Sequence, residues 1–352
     1  MSDGKRHRTI PIFMPERACP FRCIYCNQYV ITGQGLSLSD DEIIKTIEER
    51  LATIGENCET ELGFFGGTFT GLPIGEQERM LKIVEPYLSG GKIKSIRLST
   101  RPDYIDKNVI ALLKKYGVGT VELGVQSLDD EVLRKTRRGY DSRCVYDAVE
   151  MLQKNAIDVG MQMMIGLPGD NKEKSINTAR KIIECGATNT RIYPTLVVKN
   201  TVLATMYERG EYEPLTLDEA IEITKQIMPM FEEAGVTVLR VGLHPTEGFI
   251  KGSDYLAGPF HVSFRELVET AIWRDILERE IQSVQGDNAD TVTVTVSPDM
   301  VNWAVGYHSA NRVFLEERYK RVKFVTDEKM AKRDVKLSIE TTKHNEKYRN
   351  RG

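Results

Sequence analysis

The sequence predicts an α/β fold, a partial or complete (β/α) TIM-like barrel with a small C-terminal α+β appendage. Three observations lead there. Short apolar runs alternate with longer amphipathic stretches from residue 8 to about 242, which is the pattern of parallel strands covered by helices. Six or seven such units suit a barrel better than a small doubly wound sheet. The alternation then breaks after Val241, where the segment 242–264 is rich in Gly, Pro and aromatic residues.

In chain order the strand-like runs fall at 9–14, 62–65, 95–99, 120–125, 159–165, 189–195 and 237–241. Stretches with helical spacing of apolar residues lie between them, at 40–54, 76–88, 107–116, 142–154, 172–185 and 217–234. Beyond the break the chain predicts a helix over 264–282 and an alternating strand over 291–296. A pair of helical patterns flanks Gly306, and two short strands follow at 322–325 and 335–339. The domain boundary implied is 1–245 for the barrel and 246–352 for the appendage. The last dozen residues are polar and are expected to fray. In a parallel barrel the residues just after each strand crowd one face, and ligands bind there.

Bulk properties exclude several function classes. Lys and Arg number 48 against 51 Asp and Glu, so no global field draws the chain to a polyanion, and a nucleic-acid surface must be local. The N-terminal residues lack an apolar core after their charges, and no segment is long and apolar enough for a membrane span. A cytoplasmic protein is expected. Six cysteines in 352 residues do not make a disulfide scaffold.

Three of those cysteines, Cys19, Cys23 and Cys26, lie on one short loop after the first strand. Thiolates so placed can converge on one metal centre. Iron–sulfur cubanes normally take four cysteines, and a set of three leaves one iron open to another ligand. Zinc is the alternative, but zinc sites favour two ligand pairs, and no second Cys or His pair with suitable spacing follows. Cys58, Cys144 and Cys185 share no such spacing and read as core residues.

With Tyr25 before its last cysteine, this CxxxCxxC motif resembles the signature of the radical S-adenosylmethionine (SAM) superfamily. The resemblance implies a [4Fe-4S] cluster held by Cys19, Cys23 and Cys26, whose open iron binds SAM and whose electron cleaves it to a 5′-deoxyadenosyl radical. It extends over Gly66-Gly67-Thr68-Phe69, Ser99-Thr100-Arg101-Pro102-Asp103, Glu122-Leu123-Gly124-Val125-Gln126-Ser127 and Gly166-Leu167-Pro168-Gly169. Jointly these are most similar to the radical SAM domain of the Elongator catalytic subunit, with oxygen-independent coproporphyrinogen dehydrogenase a more distant likeness. By that resemblance Tyr25, Gly66, Gly67, Thr68, Ser99, Gln126, Arg138 and Gln162 contact SAM. Gly66 and Gly67 admit close backbone approach to its amino group. Gln126 is placed for the ribose and Arg138 for the carboxylate. Relatives often carry Glu where this chain has Ser99, and some place an acid near Gln162.

The Elongator subunit has a C-terminal acetyltransferase domain, which the sequence after the barrel is expected to be too short to hold. The expected substrate is RNA, tRNA above all, with an electron donor such as flavodoxin or ferredoxin. From Arg312 onward 13 Lys and Arg face 7 Asp and Glu, a local excess that suits RNA and equally suits a solvated surface. The two patterns around Gly306 weakly resemble a helix-turn-helix. Following the last barrel strand, His244 and His261 are candidate proton donors. Two alternatives stand beside the RNA reading: a coproporphyrinogen dehydrogenase-like enzyme acting on a small molecule, and a non-catalytic iron–sulfur or haem-trafficking protein.

Overall fold

The computed structural model describes residues 6–14, 23–27, 39–55, 57–283 and 290–340. Strands β1 (Arg6–Phe13), β2 (Cys58–Phe65), β3 (Ser95–Thr100), β4 (Val118–Gln126), β5 (Asp158–Ile165) and β6 (Asn189–Pro194) pair in chain order. A two-residue strand β7 (Val197–Val198) leaves this sheet, and β8 (Thr237–Val241) completes it beside β6. Every pairing within the sheet is parallel. Parallel neighbours need long crossovers, and helices supply them. These are α1 (Asp40–Thr53), α2 (Ile74–Ser89), α3 (Lys107–Lys115), α4 (Asp130–Lys135), α5 (Ser142–Gln153), α6 (Lys172–Glu184), α7 (Val202–Glu208) and α8 (Leu217–Glu233). The first and last strands do not pair with each other, so the expected barrel is partial.

Local chemistry starts most of these helices. Ser39 and Thr216 form capping boxes with Glu42 and Glu219. Asp106, Asp129, Asp141 and Asn171 cap α3, α4, α5 and α6. Each cap satisfies an amide the first turn leaves open and contributes about 1 kcal/mol.

The two faces of the sheet differ sharply. Ile10, Ile12, Leu62, Phe64, Leu98, Val121, Leu123, Met161 and Met163 are all buried on the alternation that faces the helices. The opposite alternation carries Glu61, Arg97, Glu122, Gln162 and Arg191, which bond one another across neighbouring strands. A charged barrel interior inside an apolar shell is why the strands alternate in sequence instead of reading as continuous apolar runs.

The chain divides into units at 1–262 and 263–352, so the break falls later than the expected 245/246. The reason is β9 (Tyr255–Ala257), which pairs antiparallel with β7 and keeps its segment in the first unit. A short helix, α9 (Glu247–Ile250), precedes it.

The second unit contains α10 (Phe264–Ser283) and a three-stranded sheet with β10 (Thr291–Val296) at its centre. β11 (Arg321–Thr326) pairs parallel with it, and β12 (Val335–Glu340) antiparallel. Trp273, Leu277, Val292, Val294, Val296 and Leu315 form its core. The resemblance to a helix-turn-helix fails here. The patterns around Gly306 fold as α11 (Val301–Val305) and α12 (Ala310–Glu316), too short for a recognition helix. Ala304 and Leu315 are buried in the same core.

Candidate functional site

Residues 23–27 of the cysteine loop are described, and Cys19 lies outside the described residues. A tight turn brings the Cys26 amide to the Cys23 carbonyl at 3.1 Å. Two backbone bonds fasten the loop to later parts of the chain: the Ile24 amide donates to Thr136 O at 3.4 Å, and the Leu203 amide to Ile24 O at 2.8 Å. Cys23, Ile24 and Tyr25 pack with Val132, Leu167 and Leu203. The loop is therefore seated by α4, α7 and the Gly-Leu-Pro-Gly turn after β5. Asn27 adds a bond from its amide nitrogen to Lys199 O at 3.4 Å.

Two arginines meet Cys23. Arg138 Nη1 donates to Cys23 Sγ and to Tyr25 Oη, both at 3.2 Å. Its Nε donates to Tyr140 Oη at 2.9 Å, and its Nη2 reaches Gly124 O. Arg101 Nη1 lies 3.7 Å from the same sulfur. Both arginines are almost wholly buried, at 5% exposure for Arg138 and 3% for Arg101. They differ in their counter-charge. Arg101 is held bidentate by Asp103 at 2.9 and 2.8 Å, whereas no carboxylate pairs with Arg138 among the described residues. A buried cation facing thiols and phenols is costly to maintain and marks a place where an anion belongs. Burial pushes the Tyr25 phenol up, against the pull of Arg138, and raises Tyr140 likewise. Both phenols stay neutral and act as hydrogen-bond partners.

The other predicted residues lie in or just after strands of the same sheet, Gln162 in the middle of β5. Gly66 and Gly67, just after β2, take φ of 81° and 52°, a left-handed pair that glycine tolerates best. Thr68 behind them is buried. Gln126 ends β4 with φ 68°, an uncommon backbone for a residue with a side chain. The β4–β5 register shifts at this point, and the Arg138 acceptor Gly124 lies two residues earlier. Ser99 and Gln162 meet each other, Gln162 Nε2 lying 3.4 Å from Ser99 Oγ and 2.8 Å from Glu122 Oε2. The fold thus brings Cys23, Tyr25 and Arg138 into contact, and separately Ser99 and Gln162. His244 is exposed, and burial with Arg240 nearby lowers its pKa. No hydrogen bond joins it to the described part of the cysteine loop.

Sequence reasoning gave no role to Arg101, Tyr140 or Glu122. For Glu122 a signal existed, since a lone acid inside an apolar strand must find partners. Its carboxylate accepts from Arg191 at 2.6 and 3.0 Å and from Arg97 at 3.0 Å. Arg97 in turn reaches Glu61 at 2.7 Å. Burial pushes the Glu122 carboxyl up, but Arg191, Arg97 and Gln162 outweigh it and hold it below the usual range. Tyr140 carried no signal. Its position follows from the turn after α4, where Arg137 and Gly139 also take positive φ.

Comparison with known proteins adds the following. Residues 15–182 match the model of the Radical SAM superfamily, and residues 188–274 match that of the Radical_SAM C-terminal domain. The tRNA uridine(34) acetyltransferase of Methanocaldococcus jannaschii is 29% identical over 257 residues, covering 61% of this chain and 48% of that protein. Elongator complex protein 3 of Homo sapiens is 27% identical over 203 residues, covering 52% of this chain and 37% of the other. The chain thus spans about half, or less, of the length of these relatives. The structure of the archaeal Methanocaldococcus infernus Elp3 superposes with a TM-score of 0.60 at 21% identity, over 80% of this chain and 65% of that one. That likeness shows the fold.

Proposed function

Because this chain belongs to the radical SAM superfamily, we propose that it is an enzyme that holds a [4Fe-4S] cluster on Cys19, Cys23 and Cys26, cleaves SAM reductively, and modifies RNA, specifically tRNA. The observation that carries this reading is the buried Arg138 guanidinium, 3.2 Å from Cys23 Sγ and without a carboxylate among the described residues. Thiolates are the ligands iron–sulfur clusters take, and a cluster with thiolate ligands is the anion such a cation suits. The residues present therefore fit the group. When bound, the cluster supplies the electron that breaks a sulfonium C–S bond and releases a 5′-deoxyadenosyl radical.

The chain's own residues bind and orient. Gly66 and Gly67 let the backbone approach the SAM amino group, and Thr68 stands behind them. Arg138 would pair with the SAM carboxylate, its Nη1 positioned by Tyr25. Gln126, held out of the strand by its left-handed backbone, serves the ribose. Ser99 and Gln162, tied to Glu122, line the approach to the adenosine. The described part of the cysteine loop packs against Val132, Leu167 and Leu203, apolar surroundings of the kind that a reactive radical requires. Flavodoxin or ferredoxin is the class of electron donor, in the cytoplasm.

The RNA reading is supported by the relatives' names and by one surface. On the outer face of the second unit's sheet, Thr291, Thr293 and Thr295 run down the centre, with Arg321 and Lys323 on one side and Lys336 on the other. Those three cations are exposed, and among the described strand residues of this face Glu340 is the one carboxylate. The other basic residues of the C-terminal segment past 340 lie outside the described residues.

The test is anaerobic reconstitution with iron and sulfide, followed by dithionite and SAM. Formation of 5′-deoxyadenosine, lost together with bound iron in Cys23→Ala, is the expected result. Mass spectrometry of tRNA nucleosides from cells with and without the protein then checks the substrate. An intact cluster that yields no 5′-deoxyadenosine overturns the enzyme reading. Unchanged nucleosides beside one accumulating metabolite overturn the RNA reading alone.

A further inference from the structure

Arg101 is not among the residues assigned to SAM, yet it converges on the same sulfur as Arg138. Its Nη1 lies 3.7 Å from Cys23 Sγ. Its Nη2 donates to the Arg138 carbonyl at 2.5 Å. The Arg101 and Arg138 guanidinium carbons lie 5.2 and 5.0 Å from the centre of the Tyr140 ring, and Tyr140 Oη accepts from Arg138 while donating to Gly124 O at 2.9 Å. Asp103 grips the far edge of Arg101 with two bonds. Nothing about this arrangement is loose. Two guanidiniums, one ring and one carboxylate fix two N–H donors on one thiol in a buried place.

N–H donors to a ligand sulfur, and net positive charge nearby, stabilise the more negative, reduced form of an iron–sulfur cluster and so raise its reduction potential. Among the described ion pairs, two arginines stand against Asp103 alone. Low local dielectric makes that excess felt strongly at the sulfur. We propose that Arg101, positioned by Asp103 and Tyr140, works with Arg138 through Cys23 to set the reduction potential of the cluster, bringing it within reach of a flavodoxin- or ferredoxin-class donor. Arg101 is then a positioning and electrostatic residue, apart from substrate and SAM. The inference rests on the cluster reading above.

Its test uses the full chain, reconstituted anaerobically without SAM, and an EPR-monitored redox titration. Arg101→Gln removes one buried charge and one donor, and its midpoint potential is expected to move to more negative values with bound iron unchanged. Arg101→Lys keeps the charge and is expected to recover part of the shift. Asp103→Asn removes the counter-charge while keeping the shape of the side chain, and is expected to move the potential the opposite way. The Asp103→Asn variant also covers the case in which Arg101→Gln fails to fold. A fully loaded Arg101→Gln at the wild-type potential overturns the inference, as does a shift of the same sign in Arg101→Gln and Asp103→Asn. A wild-type protein that assembles no EPR-active cluster overturns the functional reading together with this one.

Discussion

At Glu122 the cost of placing charge inside a barrel can be seen directly. Its side chain is 1% exposed, between Arg97 and Arg191. Replacing such a pair wholesale with apolar groups can be neutral, whereas removing one partner strands the other. Arg97 keeps Glu61, but Arg191 has no second carboxylate among its described ion pairs. Glu122→Ala is therefore expected to destabilise the protein by about 3–5 kcal/mol, read as a lower urea midpoint. Glu122→Gln, which retains the shape, is expected to lose less. Tyr193 stands in the same network, and its phenol is pushed up by burial, so it stays neutral and adds no compensating charge. The same network reaches Ser99. Gln162 and Glu122 already occupy the polar space around it.

Among the elements, α4 matters beyond its length because its C-terminal turn delivers Thr136 to Ile24 and Arg138 to Cys23. Its N-terminal end is tied to α6 by Lys174, which bonds Glu131 at 2.6 Å and Asp129 at 3.2 Å. Lys135 and Lys174 pull the Glu131 pKa down to about 2. A carboxylate depressed in the folded state contributes stability above its unfolded pKa, and loses it as pH falls through the folded value. Stability from this ion pair is thus expected to be complete above the ordinary glutamate range and to fade as pH falls toward about 2. Glu131→Gln is expected to flatten that part of the pH profile of thermal unfolding. The pair is partly exposed, so added salt is expected to weaken it. The turn after β5 is locked in a comparable way. Gly166 has φ 76°, and Leu215 atoms lie within 3 Å of where a Cβ would stand. The Gly-Leu-Pro-Gly segment therefore carries a steric demand as well as turn chemistry.

For the whole molecule, a formal net charge of −3 gives no general attraction to RNA, so binding must come from a local surface. If tRNA meets the outer face of the second unit's sheet, charge reversal of Arg321, Lys323 and Lys336 weakens filter binding of bulk tRNA. For every phosphate that these side chains neutralise, the reversal is expected to reduce the slope of log affinity against log salt by roughly 0.9. Cluster content is expected to be unaffected, since none of the three belongs to the unit that carries Cys23. Equal affinity and an equal slope in the triple variant would remove this surface from the RNA reading. No helix among the described residues is long and apolar enough to cross a membrane.

Periodicity by itself determined the alternating elements and their parallel arrangement. The ends of all seven barrel strands lie within four residues, and those of six helices within two, of where apolar spacing puts them, because each must bury one face and the burial leaves its period in the sequence. The cysteine spacing likewise puts the expectation of a metal loop in the sequence alone, since thiols that share one short loop need no tertiary contact to converge. Only the tertiary structure decided that Arg101 and Tyr140 belong beside Cys23, because they approach it from the ends of other elements and leave no periodic trace. It also decided that the barrel stays open, that β9 returns to the first unit, and that the Gly306 helices pack inward. Each of those depends on which surface is left uncovered once the elements have assembled, a property of the packed chain that no local window contains.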